Sequence, residues 1–279
     1  MKLGVSLFCT GYSIGIVPLA KLVEQLGFES LFVPEHPAVP KDAATPFPSG
    51  GPIPRHYKEV MDPFVGLAAA AAVTTKVRLG TGICLVPQRN PILTAKEIAT
   101  LDLIFGGRFE FGIGAGWLKE EVELFGGDFP HRWTQTREYV QAIKACWGPD
   151  PSEFHGKYAN FGPTHVFPKP VQQPHPPVLI GGASDKALRR VATWGDGWIP
   201  LARTVTPKDV EMGREKLGAL WRQKGRKGKF TVTVYAAKPD KQGNQDFFNA
   251  GADRVMHTAP SENEAKTREL LQKWKAELM

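Results

Sequence analysis

Short apolar runs rich in β-branched residues alternate along the chain with longer stretches in which apolar residues recur every three or four positions. The short runs are Lys2–Phe8, Ser30–Pro34, Val77–Leu85, Phe109–Ile113, Pro177–Ile180, Gly197–Leu201, Phe230–Ala237 and Asp253–His257. Val77–Leu85 and Val178–Ile180 are nearly continuously apolar, the pattern of parallel strands covered on both faces. The longer stretches carry helix signals. Leu19, Leu22, Val23 and Leu26 form an apolar stripe that Gly27 stops. Asp62-Pro63 and Asn90-Pro91 each join an N-cap to a proline at the first helical position. The first opens an alanine-rich helix through Ala72, and Gly106-Gly107 ends the second. Thr136–Trp147 reads as a further helix. Ser184 caps the next, with Leu188, Val191 and Ala192 facing inward and Gly195 closing it. Thr206-Pro207 opens another, Asp240–Asn249 leaves room for a short one, and Ser261-x-x-Glu264 reads as the capping box of a last helix ending near Trp274.

Strands alternating with helices in this way predict an α/β protein, a (β/α)8 TIM barrel in which residues 1–279 form a single domain. An open doubly wound sheet is the rival, but its glycine fingerprint is missing after the first strand. Two long loops rich in Pro and Gly, Pro37–Met61 after strand two and Pro149–Pro176 after strand four and its helix, interrupt the rhythm. Both are expected on paths leading out of a strand's C-terminal end, where barrels carry their active sites, and so as lids or pocket walls.

Composition narrows the possibilities. The net charge is +7, with much of the excess in Arg222, Lys224, Arg226, Lys227 and Lys229. No nucleic-acid motif accompanies that stretch, which reads as a solvated loop. Cys9, Cys84 and Cys146 lack CxxC spacing, which argues against a disulfide framework or structural zinc and suits a reducing cytoplasm. No apolar run is long enough to span a membrane, and the N-terminus has no secretory pattern. His155, His165, His175 and His257 are dispersed without ligand spacing, so no metal site is expected.

Four motifs carry candidate chemistry. Glu35-His36 follows strand two directly, where a carboxylate and an imidazole can exchange protons near neutral pH; an exposed turn is the structural alternative. Gly80-Thr81-Gly82-Ile83 puts glycines inside strand three, which suits close approach of a flat ring or, alternatively, tight packing at a bulge. Gly114-Ala115-Gly116-Trp117 leaves bare backbone beside an indole at the exit of strand four, although a strained strand exit looks the same. Gly181-Gly182-Ala183-Ser184 leads into a helix whose free N–H groups attract anions, or it is simple capping by Ser184. Arg132 could reach a phosphate or solvent, and Asp196-Gly197-Trp198 reads best as a tight turn with a core tryptophan.

Together these segments resemble the bacterial luciferase-like superfamily of flavin and deazaflavin oxidoreductases, and within it the coenzyme F420-dependent branch. The matching stretches run from Gly27–His36 through Asp62-Pro63-Phe64, Val77–Gly82, Ala95-Lys96-Glu97, Thr100-Leu101-Asp102 and Gly106-Gly107-Arg108 to Gly112–Trp117, Pro177–Ser184 and Gly195–Trp198. The resemblance implies a (β/α)8 barrel with the ring at the C-terminal mouth over Thr81–Ile83, where a non-proline cis peptide is common. It also implies that Gly114–Trp117 touch the cofactor, that Gly181–Ser184 hold its phosphate and that Glu35 and His36 flank the reacting carbon. Many F420-dependent relatives carry Asp before that histidine, whereas this chain has Glu35.

The resulting expectation is hydride transfer between reduced coenzyme F420 and a small organic substrate. A monooxygenase using reduced FMN and oxygen is the alternative, and a flavin-binding protein with little turnover is the alternative of another class. The resemblance further implies a homodimer.

Overall fold

The computed structural model describes residues 1–279. The chain begins with β1 (Leu3–Leu7), α1 (Ile16–Leu26), β2 (Ser30–Val33), α2 (Arg55–Glu59), α3 (Pro63–Ala71), β3 (Arg78–Thr81) and β4 (Cys84–Leu85). It continues through α4 (Pro91–Ile104), β5 (Phe109–Gly114), α5 (Lys119–Leu124) and α6 (Arg132–Trp147) to a two-stranded hairpin, β6 (Ser152–His155) and β7 (Asn160–Thr164). The remainder is β8 (Val178–Gly181), α7 (Asp185–Trp194), β9 (Gly197–Ile199), α8 (Pro207–Gln223), β10 (Thr231–Val234), α9 (Lys241–Asn249), β11 (Arg254–Ala259) and α10 (Glu264–Leu278). All strands except the β6–β7 hairpin pair in parallel, and the β11–β1, β1–β2, β2–β3 and β3–β5 ladders close them into a barrel. The single run expected at Val77–Leu85 occupies one barrel position but divides into β3 and β4, and the Gly82–Ile83 peptide between them is cis.

The helix ends follow local chemistry. Asp62 accepts from the Val65 N–H, Asn90 from the Ile92 and Leu93 N–H groups, and Thr206 forms a reciprocal capping box with Asp209. Gly27 takes a left-handed φ of 83° at the end of α1. Two expected boundaries shift. The helix placed at Thr136 begins at Arg132. The cap of α10 is Asn263 rather than Ser261, whose hydroxyl instead donates to the Phe8 carbonyl (2.7 Å).

The second long loop is not a mouth wall. Pro149–Pro176 follows α6, so the parallel topology has already returned the chain towards the strands' N-terminal ends. Its hairpin is bonded to the flank of α6, where Glu138 accepts from the Tyr158 and Ala159 N–H groups, and Val171 and Gln172 donate to Asp102 of α4. Arg226, expected as a solvated charge, donates to the Gly195 carbonyl and to Asp196, and stacks on Trp221.

An ionic plug closes the N-terminal end of the barrel. Arg254, at the start of β11, pairs with Glu29 (2.6 Å) and Glu110 (2.8 Å), and Glu110 also bonds Arg78. Burial by itself raises the Glu110 carboxyl, but Arg254 and Arg78 outweigh it and hold it at about 2. Above the plug, Phe32, Leu179, Ile199, Tyr235 and Met256 fill the barrel interior.

Glycine lets the strands close at this depth. A Cβ on Gly112 would collide with the Thr81 carbonyl oxygen, a backbone atom that cannot swing aside. Gly112→Ala is therefore expected to destabilise the barrel by about 3 kcal/mol, at the upper end for overpacking, with a lower urea midpoint as the readout. A midpoint equal to the parent's would show that β3 and β5 can separate freely.

Candidate active site

At the C-terminal mouth of the barrel lies a cavity of about 470 Å³, within the range of small-molecule sites. Its walls come from the ends of several strands, as a parallel barrel requires. Phe8 follows β1, Pro34, Glu35 and His36 follow β2, and Gly82, Ile83 and Leu85 span the β3–β4 break. Gly114 to Trp117 leave β5, Gly181 and Gly182 leave β8, and Tyr235 leaves β10.

The two residues after β2 have different surroundings. Both are buried. The Glu35 carboxylate accepts from the Leu85 N–H (2.6 Å) and from Arg89 Nε (2.6 Å), and Arg89 reaches on to Asp62. Glu35 thus clamps β4 to the turn after β2. The His36 Nδ1 lies 2.9 Å from Glu121 Oε2, and Glu121 is fully buried on α5. A carboxylate only accepts, so Nδ1 carries the hydrogen and the neutral ring keeps a lone pair on Nε2. That nitrogen has no hydrogen-bond partner in the protein, and the ring lines the cavity.

The loop after β2 supplies an aromatic wall. Phe47, Pro48, His56 and Tyr57 face the cavity, giving Pro37–Met61 the pocket role expected of it. Tyr57 lies 4.9 Å from His36 and 5.2 Å from Phe47, which packs edge-on to Trp117 at 5.6 Å. Glu120 of α5 ties the loop down by accepting from the Ala44 and Thr45 N–H groups. Burial pushes the His56 imidazole down and the Tyr57 phenol up, the latter opposed by Arg203 at the rim.

Of the glycine-rich motifs, Gly82, Ile83, Gly114, Ala115, Gly116, Trp117, Gly181 and Gly182 meet at the one cavity. Gly116 needs its glycine, with φ at +79° and Val122 in the space a Cβ would take. Gly80 and Thr81 lie outside the cavity lining. The space beside Gly80 holds the Phe32 ring and the Glu110 carbonyl, and the fully buried Thr81 hydroxyl donates to the Gly112 carbonyl (2.7 Å). They brace the strand from below. Ala183 and Ser184 are exposed beyond the lining, where Ser184 caps α7 by accepting from the Ala187 N–H. Arg132 is committed to the Gly116 and Phe129 carbonyls, and Trp198 is a core residue whose Nε1 donates to the Gly182 carbonyl.

Sequence reading missed Glu121, the aromatic pair Phe47 and Tyr57, and Tyr235. Glu121 left a trace, since it shares the buried face of α5 with Val122 next to Leu118, and an acid on the apolar side of a short helix is rarely there without a partner.

The sequence profile of luciferase-like monooxygenases matches residues 14–277. The chain belongs to this family. An uncharacterised protein of Mycobacterium tuberculosis is 35% identical over 266 residues, covering 93% of this chain and 92% of the relative. Among solved structures, the monooxygenase RslO1 from Streptomyces bottropensis superposes with a TM-score of 0.78 at 21% identity, covering 100% of this chain and 98% of the other. An F420-dependent secondary alcohol dehydrogenase, solved with an F420–acetone adduct, superposes with a TM-score of 0.77 at 18% identity over the same shares, 100% and 98%. These two likenesses establish the barrel. The family match establishes a luciferase-like protein, whose relatives are oxidoreductases and monooxygenases. No helix is long and apolar enough to cross a membrane.

Proposed function

We propose that this luciferase-like protein passes hydride between reduced coenzyme F420 and a small organic substrate. The observation that carries the reading is His36, held at Nδ1 by buried Glu121 and offering Nε2 to a cavity of about 470 Å³ at the barrel mouth. The residues present suit a flavin-type ring with a phosphate. The lining is apolar and aromatic, Gly114 and Gly116 present backbone without a side chain to it, and Gly181-Gly182 lead to the N-terminus of α7, where the N–H groups of Ala183 and Ser184 would suit an anion.

The deazaflavin supplies hydride chemistry when bound, and the protein supplies position and protons. The Nε2 lone pair of neutral His36 takes the proton when a substrate hydroxyl is oxidised; in the reducing direction the ring first gains a proton at Nε2 from solvent and passes it to the substrate oxygen. Glu121 is a positioning residue that fixes the ring's orientation and tautomer. Glu35 acts at one remove, through Arg89 and Leu85, by holding the β3–β4 break that lines the cavity. Trp117, Tyr57 and Phe47 exclude water.

The deciding experiment compares F420 and FMN binding to the purified protein, then follows the reduced form with candidate substrates under anaerobic conditions. F420 binding with oxygen-independent oxidation of the deazaflavin is expected. FMN binding with an oxygen requirement would make the protein a monooxygenase, and tight binding without turnover would make it a carrier. Glu121→Gln is expected to lower kcat on the order of 100-fold with KM within about threefold, because the histidine loses its anionic partner but the pocket keeps its shape. An unchanged kcat would remove Glu121 from the mechanism.

A further inference from the structure

Several buried side-chain polar atoms make no hydrogen bond, and of the residues that bear them Tyr235 alone lines the cavity. The others, among them Ser30, Gln88, Trp221 and Asn244, lie elsewhere. Tyr235 leaves β10 at the cavity floor, and its hydroxyl lies 2.6 Å from where a Cβ on Gly82 would stand. The hydroxyl therefore sits against the β3–β4 break. The Ser6 hydroxyl, itself bonded to Thr258 (2.7 Å), is its polar neighbour and keeps a lone pair, but no hydrogen bond of normal geometry joins it to the phenol. Around the ring are the side chains of Phe32, Leu179, Ile199 and Met256, which offer no oxygen or nitrogen acceptor.

A buried hydroxyl without a partner carries a penalty that a fold does not normally retain unless something else satisfies it. We propose that Tyr235 is a cofactor-binding residue, whose O–H donates to a carbonyl oxygen on the pyrimidine-like edge of the flavin or deazaflavin ring. This rests on the functional reading above. Burial pushes the phenol well above its ordinary range, so it is a neutral donor at every working pH. Of the cavity's lining residues, Tyr235 is the one with a buried polar atom left without a partner. Glu35 is an acceptor already engaged by Leu85 and Arg89, and His36 Nδ1 is engaged by Glu121.

Tyr235→Phe removes one oxygen and leaves the ring packing intact, so ligand binding and stability should move in opposite senses. The test measures Kd for F420 and for FMN by fluorescence titration, and Tm of the ligand-free protein, for wild type and Y235F. The expected result is a Kd raised about five- to twentyfold for whichever ring the wild type binds, with a ligand-free Tm equal to or above that of wild type. A Kd within twofold of wild type overturns the assignment. A lowered ligand-free Tm overturns it as well, because the hydroxyl then has a partner within the fold. Wild-type protein that binds neither ring brings down the functional reading and this inference together, whereas equal binding by both proteins brings down the inference alone.

Discussion

His36→Asn is expected to cut turnover about 10²- to 10⁴-fold while leaving cofactor Kd within about threefold, the signature of losing a proton-transferring group. Asparagine can still offer an N–H towards Glu121, so the buried carboxylate keeps a donor and the fold is spared. It has no lone pair where Nε2 stood. His36→Ala removes both functions and strands Glu121, which is fully buried, so that variant confounds chemistry with stability. Anaerobic stopped-flow on the deazaflavin absorbance separates the possibilities. A rate for His36→Asn within about threefold of wild type, with binding intact, would mean that the proton comes from elsewhere, and Tyr57, 4.9 Å from the histidine, would be the next candidate.

Arg254→Met should have the largest effect on stability. Its guanidinium makes two bonds to Glu110 and two to Glu29 at the closed end of the barrel, and little of it reaches solvent. Methionine fills similar volume but leaves two carboxylates with one partner removed. Breaking a buried pair in this way costs about 3–5 kcal/mol, a fall in Tm on the order of 10 °C for a chain of this size. Adding Glu110→Gln should recover part of the loss, since the stranded charge is gone. Differential scanning calorimetry of both variants checks this, and an Arg254→Met midpoint within about 2 °C of wild type would show the plug to be energetically idle.

The same network predicts a direction with pH. Glu110 is held at about 2, below the roughly 4.3 of an unfolded glutamate. Its contribution is therefore complete above the unfolded value and is lost as pH falls through about 2. In Arg254→Met the depression is smaller, so acid unfolding should begin at higher pH. Coincident acid transitions for the two proteins would contradict this.

Much of the barrel was readable from the chain because its cues are local. Strand positions, the Asp62, Asn90 and Thr206 caps and the Gly27 stop depend on residues a few places apart, and each stands where periodicity put it. The rim motifs were readable for the same reason, since a parallel barrel sends every strand's C-terminal end to one face. Depth along a strand was not readable. Gly80 and Gly82 look alike in sequence, yet one lies a layer below the mouth against Phe32 and the other lines the cavity. Pro149–Pro176 looked like the loop before it, but it lies on the flank because a helix had already carried the chain back to the other end.

The sequence by itself determined the order of strands and helices, the glycine-rich strand exits and the presence of Glu35 and His36 at one of them. The tertiary structure alone decided their partners: Arg89 for Glu35, Glu121 for His36, and no protein partner for the Tyr235 hydroxyl. The physical reason is range. Caps and periodicity act over a turn or two of chain, whereas the buried His36–Glu121 pair joins residues that only barrel closure brings within hydrogen-bonding distance.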